Sequence, residues 1–436
     1  MTTTSGNIAL TGVAGGSAGT GNNGVFMTQS ALVSSTSGAI LLAGVGGVNA
    51  LSLSNHGVQI AAGSMVTNGS GSITLTGVGG RAGTGQCSGV LVENSGTTVS
   101  TTGGRIAIGG IAGGSTGNQN SGVEITDTAS VTTPSGITIT GSSGPSSASS
   151  FGVNINTVST TVTAGGGLRI IGRGGAGSEN GILIQQATVT GSSSIFGESF
   201  SDIILNEGAT ISSAGSINFT SSRDLIIQGA NAIATDTTVS AGGNLDLIAG
   251  RDLSFLNGTL SIPIVTSSAN MTLVTDNQFP NFPDRGTGQL LVESDAVITA
   301  PGEMRVYTVR RSQNTFETTL NGGTFTPGPF GVDTNTEKWV LYYPDGSYVG
   351  PSFTIYYKIG AYLSDSYTMS RVIGQFTNLL PTIQFGQFPS PGFTRSHVYH
   401  GHYCPCSSPF APYRAFIFED DIFWTDKPDF DTKIAL

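Results

Sequence analysis

The sequence predicts an all-β protein, a parallel β-helix of about ten coils with three short strands each, followed by a smaller aromatic-rich β region. Three observations support this prediction. Glycine accounts for 65 of the 436 residues, whereas charged residues make up only 10%. Short segments rich in Val, Ile and Thr alternate apolar with small or polar residues, which is the period of a half-buried strand. These segments recur at intervals of 22 to 33 residues over the first three hundred positions.

The first strand of each repeat begins at an apolar residue that follows a Gly-, Ser- or Asn-containing turn. The starting residues are Ile8, Ile40, Ile73, Ile106, Ile137, Leu168, Ile195, Ile217, Leu245, Met271 and Met304. In the middle of the first six repeats lies a second strand, preceded by glycine. These middle segments are Gly24–Met27, Gly57–Ile60, Gly89–Val92, Gly122–Ile125, Gly152–Ile155 and Gly181–Ile184.

A third strand closes each repeat around one β-branched residue. These residues are Val33, Val66, Val99, Val131, Val162, Val189, Ile211, Val239, Val265 and Ile298. Because three short strands cannot form a core alone, we expect each strand to pair in parallel with its counterpart one coil on. Inward Ile, Leu and Val side chains then form continuous ladders along a rod.

Glycine is expected mainly in the turns, where a positive φ has no steric cost, as at Ser70-Gly71 and Gly103-Gly104. Longer Gly-rich loops are expected to project from the first six coils. We predict that these loops cover the outward side chains of Phe26, Leu91 and Leu183; the alternative is an exposed apolar face for a partner.

Composition also excludes several classes of protein. With 37% hydrophobic residues the chain is not simply disordered, and glycine does not recur at every third position as in collagen. The net charge of −10 argues against nucleic-acid binding, which depends on Lys and Arg. No apolar run is long enough to predict a transmembrane helix.

The composition changes near residues 307–336, since all eleven Tyr lie at or after Tyr307. We therefore predict a β-helix over residues 1–310, a β-hairpin cap region over 311–358, and an irregular tail rich in aromatic residues and Pro over 359–436. The hairpin is predicted from two aromatic strands, 339–343 and 353–357, separated by a turn segment that contains Pro and Gly. Its aromatic residues either bind a sugar or partner, or pack on the end of the rod, and we favour the cap.

The tail contains the densest group of metal-ligating side chains, namely His397, His400, His402, Cys404 and Cys406. Imidazole and thiolate groups suit zinc or copper. However, Cys-x-Cys is not the usual zinc-finger spacing, so the alternative is a Pro-flanked tail without metal. We predict no cofactor other than this zinc site.

Catalytic residues are scarce in the predicted rod. Polysaccharide-active β-helices need clustered acidic and basic side chains, but residues 1–200 contain only nine charged residues. His56 is the only His before His397, which argues against a Ser-His-Asp set. Arg223-Asp224 and Arg251-Asp252 stack in register, and we expect them to form structural ion pairs rather than a catalytic site.

One segment carries a family resemblance. Gly243–Leu253 (GNLDLIAGRDL) resembles the haemagglutinin repeat of filamentous-haemagglutinin-like adhesins and autotransporter passenger domains, and Ser216–Leu225 is similar to it. The resemblance covers roughly residues 5–310. It implies a right-handed parallel β-helix that is exported and displayed at a bacterial surface, often for attachment.

Together these observations predict a non-enzymatic rod of adhesin type, extracellular or associated with the bacterial outer membrane, which attaches to host or matrix glycans or proteins through its outer faces. The alternatives are a β-helical polysaccharide lyase or hydrolase and a purely structural passenger stalk. No signal peptide is visible and the first repeat lacks a cap, so we expect the chain to be part of a longer exported protein.

Overall fold

Each coil contributes one strand to each of three parallel sheets, as the repeats predict. The computed structural model describes residues 1–302 except 16–20, 50–53, 83–85, 115–119, 145–149, 175–179, 276–287 and 294. It also describes residues 304–307, 315–316, 319–320, 323–330, 336–342 and 353–356. All of these residues belong to one compact unit, Met1–Ala361. Over these ranges the regular structure is entirely β, without a helix, so the predicted fold class is confirmed.

Sheet 1 contains the first strand of each coil, and like residues stand opposite one another: Ile40 pairs with Ile73, and Ile73 with Ile106. Its strands are Ile8–Val13, Ile40–Val45, Ile73–Val78, Ile106–Ile111, Ile137–Ser142, Gly167–Arg173, Ser194–Ser199, Ser216–Ser221, Leu245–Ala249, Met271–Val274 and Met304–Tyr307.

Sheet 2 contains the middle strands, which continue beyond the six that the glycine pattern indicated. Its strands are Val25–Met27, Val58–Ile60, Val90–Val92, Val123–Ile125, Phe151–Asn156, Asn180–Gln185, Ile203–Asn206, Leu225–Gln228, Leu253–Leu256, Leu290–Val292 and Thr315–Phe316.

Sheet 3 contains the closing strands, again in parallel register. Its strands are Thr2–Thr3, Leu32–Ser35, Met65–Asn68, Thr98–Thr101, Ser130–Thr133, Thr161–Ala164, Thr188–Gly191, Thr210–Ser213, Thr237–Ala241, Pro263–Ser267 and Val297–Thr299. Within the described residues, sheets 2 and 3 have eleven strands each, which differs slightly from ten coils. A separate two-stranded parallel sheet joins Val48–Asn49 to Arg81–Ala82.

The core is a set of apolar columns between the sheets. The ten predicted residues of the closing strands, from Val33 to Ile298, are all buried. The largest fully buried side chains include Phe219 and Phe255. Phe219 fills the space beside Gly197 in the preceding coil, where an added Cβ would lie 2.2 Å from the Phe219 ring. The packed columns remove apolar surface from water along the whole stack, which is the main stabilising contribution.

Most described glycines do not adopt the positive φ angles that the sequence analysis expected of them. Positive φ angles occur at only four of the described glycines: Gly21, Gly63, Gly96 and Gly208. Ten other residues with positive φ lie in the turns between sheets 2 and 3. Gly104, by contrast, stacks directly on the preceding coil, where an added Cβ would lie 1.9 Å from the carbonyl oxygen of Gly71. Close approach of backbones, rather than turn conformation, therefore explains glycine at most of these positions.

The predicted aromatic hairpin is present as two paired strands. Thr336–Tyr342 pairs antiparallel with Phe353–Tyr356, which pairs in parallel with Met304–Tyr307. Gly323–Phe330 pairs with Thr336–Tyr342, and Thr319–Leu320 pairs with Gly323–Phe330, both antiparallel. The hairpin thus continues sheet 1 beyond its last coil. Over the described part of the chain, no helix has the length and apolarity required to cross a membrane.

Candidate functional site

A chain of hydrogen bonds on the outer side of sheet 2 joins five successive coils. We call Asn23, His56, Ser88, Glu124 and Asn154 the polar network. The backbone N–H of His56 donates to Oδ1 of Asn23 at 2.8 Å, and that of Ser88 donates to Nδ1 of His56 at 3.1 Å. The hydroxyl of Ser88 donates to Oε2 of Glu124 at 3.0 Å, and Nδ2 of Asn154 donates to Oε1 at 3.2 Å.

Burial shifts the pKa of both titratable members of the polar network toward the uncharged form. Glu124 is 5% exposed, and burial raises its pKa to about 7, with smaller upward contributions from Glu93 and Asp127 and downward ones from its hydrogen bonds to Ser88 and Asn154. His56 is 1% exposed, and burial lowers its pKa to about 4. Because charged groups are costly to bury without a partner, the shifts favour the uncharged form of each side chain.

Ser88, His56 and Glu124 are the residue types of an acyl-transfer triad, and analysis of the sequence missed this grouping. Their hydrogen bonds differ from those of a triad, in which the serine hydroxyl bonds to the imidazole. Here the hydroxyl of Ser88 donates to Glu124 instead, and His56 accepts from the Ser88 backbone. Ser88 is also fully buried. The arrangement links coils and does not present a nucleophile.

A second polar cluster lies where the middle strands of the later coils begin. We call Asp202, Arg223, Asp224, Arg251 and Asp252 the Arg–Asp ladder. Arg223 binds both carboxylate oxygens of Asp202, and Nε donates at 2.6 Å. Arg251 binds Asp224 in the same two-pronged way, with Nε at 2.8 Å, and its Nε also lies 3.0 Å from Asp252. The predicted structural ion pairs are confirmed, and Asp202 is a further member that the sequence did not indicate.

The ladder also satisfies backbone groups. Oδ1 of Asp202 accepts from the Asp224 backbone N–H at 3.1 Å, and Oδ1 of Asp224 accepts from that of Asp252 at 3.2 Å. Burial raises the pKa of Asp224, and Arg251 opposes the shift. The hydrogen bonds to Asp202 raise the pKa of Arg223. The carboxylates of Asp202 and Asp224 are therefore both bound by residues of the following coil.

The outward side of sheet 1 is uncharged over its first five coils; we call it the outer face. All fifteen of its side-chain positions are exposed or half-exposed. They are Ala9, Thr11, Val13, Leu41, Ala43, Val45, Thr74, Thr76, Val78, Ala107, Gly109, Ile111, Thr138, Thr140 and Ser142. Parallel register aligns these residues in three columns, which form a repetitive surface.

The remaining predicted site residues have mixed outcomes. Leu91 and Leu183 are buried, at 2% and 7% exposure, as the covered-face interpretation predicts. Phe26 is 54% exposed, so the prediction is wrong there, at the outermost strand of sheet 2. His397, His400, His402, Cys404 and Cys406 lie outside the described residues. Among the residues that are described, no group of three or more His, Cys, Asp or Glu is suited to hold a metal ion.

No protein-family model matches the chain, and neither the curated proteins nor the solved structures include a significant match to it.

Proposed function

We propose that the chain is a non-enzymatic rod of adhesin type, displayed at a bacterial surface or secreted, which attaches to matrix or host glycans or proteins through its extended faces. The resemblance of Gly243–Leu253 to haemagglutinin repeats supports the bacterial and extracellular part of this proposal. The uncharged outer face supports the attachment part.

The outer face is the single observation that carries the proposal. Five successive coils repeat an array of small, hydroxyl-bearing and apolar side chains, whereas several acidic groups of the rod are buried or paired: Glu124, Glu198, Asp202 and Asp224. Such a surface makes weak contacts at many equivalent places, and repetition raises the overall affinity without a deep pocket.

Deleting whole coils tests this proposal. Removing residues 73–105 joins Ser72 to Ile106, and removing 73–136 joins Ser72 to Ile137; both junctions keep the register of sheet 1 because these Ile residues are equivalent. We expect two folded rods that lose attachment to immobilised matrix or cultured cells in proportion to the coils removed. Unchanged attachment, or an all-or-none loss of a glycan-cleaving activity, would contradict the proposal.

A further inference from the structure

The outward residues at the ends of the sheet 1 strands form one column along the rod, which we call the rim column. In chain order it consists of Val13, Val45, Val78, Ile111, Ser142 and Arg173. The first four members are apolar and between 41% and 80% exposed. The column is therefore apolar over its first four members and ends at one positively charged residue, Arg173.

Arg173 is held against an aromatic ring of the next coil. Its Cζ atom lies 4.3 Å from the ring centroid of Phe200, which is 48% exposed. A guanidinium group attracted to a ring face keeps its N–H edge available for hydrogen bonds. The ring therefore orients the cation while leaving it able to bind an anion.

Arg169 and Phe196 form a similar pair on the same sheet, but this arginine also has an acidic partner. Arg169 lies over Phe196, with Cζ 5.3 Å from the centroid, and its Nη2 also lies 3.4 Å from the buried carboxylate of Glu198. Arg173 is exposed; burial raises the pKa of Glu198, and the charge of Arg173 opposes this rise from a distance. Within the described ranges, however, it lies within 4 Å of no carboxylate oxygen, unlike Arg169. Its hydrogen-bonding edge is therefore not used by an ion pair with a described residue.

We propose that Arg173 and Phe200 bind a hexuronate residue of an acidic polysaccharide, with Arg173 binding its carboxylate and Phe200 contacting its sugar ring, an inference that rests on the proposed attachment function. A planar carboxylate matches the two-pronged hydrogen-bonding edge of arginine. The exposed part of the Phe200 ring offers an apolar surface to the C–H face of the pyranose. Neighbouring sugars lie along the rim column and contact its Val and Ile side chains.

The test compares binding of the full chain to polygalacturonate and to the fully methyl-esterified polymer, which has the same backbone without the charges. We expect binding of the acidic polymer only. Arg173→Gln should weaken it about tenfold or more, since a charge-assisted hydrogen bond is lost, and Phe200→Leu should weaken it less. Arg105→Gln removes the same charge from another exposed arginine and should leave binding unchanged.

Three results would overturn the inference: equal binding of acid and ester, equal losses for Arg173→Gln and Arg105→Gln, or dextran sulfate binding as tightly as polygalacturonate. Circular dichroism of each variant checks that the fold is retained. If the chain binds neither polymer but still attaches to matrix with graded loss on coil deletion, the hexuronate site is wrong and the attachment function stands.

Discussion

A Cβ atom on Gly110 would lie 1.9 Å from the carbonyl oxygen of Gly122, so sheet 1 and the segment before sheet 2 meet backbone to backbone. The same contact recurs one coil earlier, at 1.9 Å between Gly77 and Gly89. Each coil of this part of the rod thus closes against a glycine pair, and no side chain fits between the two segments.

Gly110→Ala should therefore destabilise the protein by about 3 kcal/mol or more, because backbone must move to admit the methyl group. Gly109, the adjacent residue in the same strand, provides the matched control. A Cβ there meets only the Cγ2 atom of Thr76, at 3.9 Å. Gly109→Ala should change stability by less than about 1 kcal/mol. Urea denaturation measures both, and similar losses would show that close approach is not the reason for glycine at 110.

The stacked strands of the three sheets could be predicted from the sequence because strand period and repeat length are local properties. Val99 and Val131 fall at equal places in their repeats, and the structure pairs them. Three strands were predicted for every coil, but the middle strands of the later coils could not be located because their marker changes: the glycine that precedes Ile182 becomes Asp202, Asp224 and Asp252 in the following coils. The Arg–Asp ladder replaces the glycine contact at this corner.

The environment of Glu124 could not be predicted from its strand alone. A two-residue period places Glu124 outward, where a carboxylate normally meets water, yet it is 5% exposed. Its partners Ser88 and Asn154 lie one coil away on either side, so the network depends on contacts between repeats. Polar residues at matching places in adjacent repeats are the signal that would have indicated it.

Glu124→Gln should change how stability depends on pH. The pKa of Glu124 rises from 4.5 to about 7 on folding, so between these values the folded state holds a proton that the unfolded state lacks. This group therefore stabilises the fold most below pH 4.5, and its contribution is lost as pH rises through 7. Between pH 4.5 and pH 8, the free energy of unfolding of the variant should therefore rise by up to about 3 kcal/mol relative to that of the natural protein.

The comparison is made by urea denaturation at pH 4.5 and pH 8. A difference between variant and natural protein that does not change with pH would show that the carboxyl of Glu124 titrates normally.

His56→Asn should change the pH dependence of stability in the opposite direction from Glu124→Gln. Asparagine offers an oxygen in place of Nδ1 to the Ser88 N–H but does not titrate. The pKa of His56 falls from 6.5 to about 4 on folding, so its contribution is present above pH 6.5 and is lost as pH falls through 4. Relative to the natural protein, the variant should become more stable by up to about 3 kcal/mol on acidification over that range. A variant whose relative stability is constant from pH 7 to pH 4 would contradict the assignment.

The tail residues give a separate prediction about metal. If His397, His400, His402, Cys404 and Cys406 form a site, the full chain should retain about one equivalent of Zn²⁺ after dialysis, because imidazole and thiolate ligands hold zinc tightly. His400→Ala combined with Cys404→Ala should abolish retention, and His56→Asn should not. Elemental analysis of the dialysed protein measures it, and absence of retained zinc would favour the metal-free tail.

Arg251→Met should destabilise the later coils, because it leaves the carboxylate of Asp224 buried without its two-pronged partner. We expect a loss of about 2 kcal/mol, which is modest for a broken ion pair because the Arg251 side chain is 41% exposed. Arg105→Met, at an exposed arginine, should cost less than about 0.5 kcal/mol.

Adding Asp224→Asn to Arg251→Met should restore part of the loss, since the unpaired charge is removed while an amide oxygen can still accept from the Asp252 N–H. If the double variant is instead as unstable as the sum of the two single variants, the two side chains are not coupled and the ladder does not stabilise the stack.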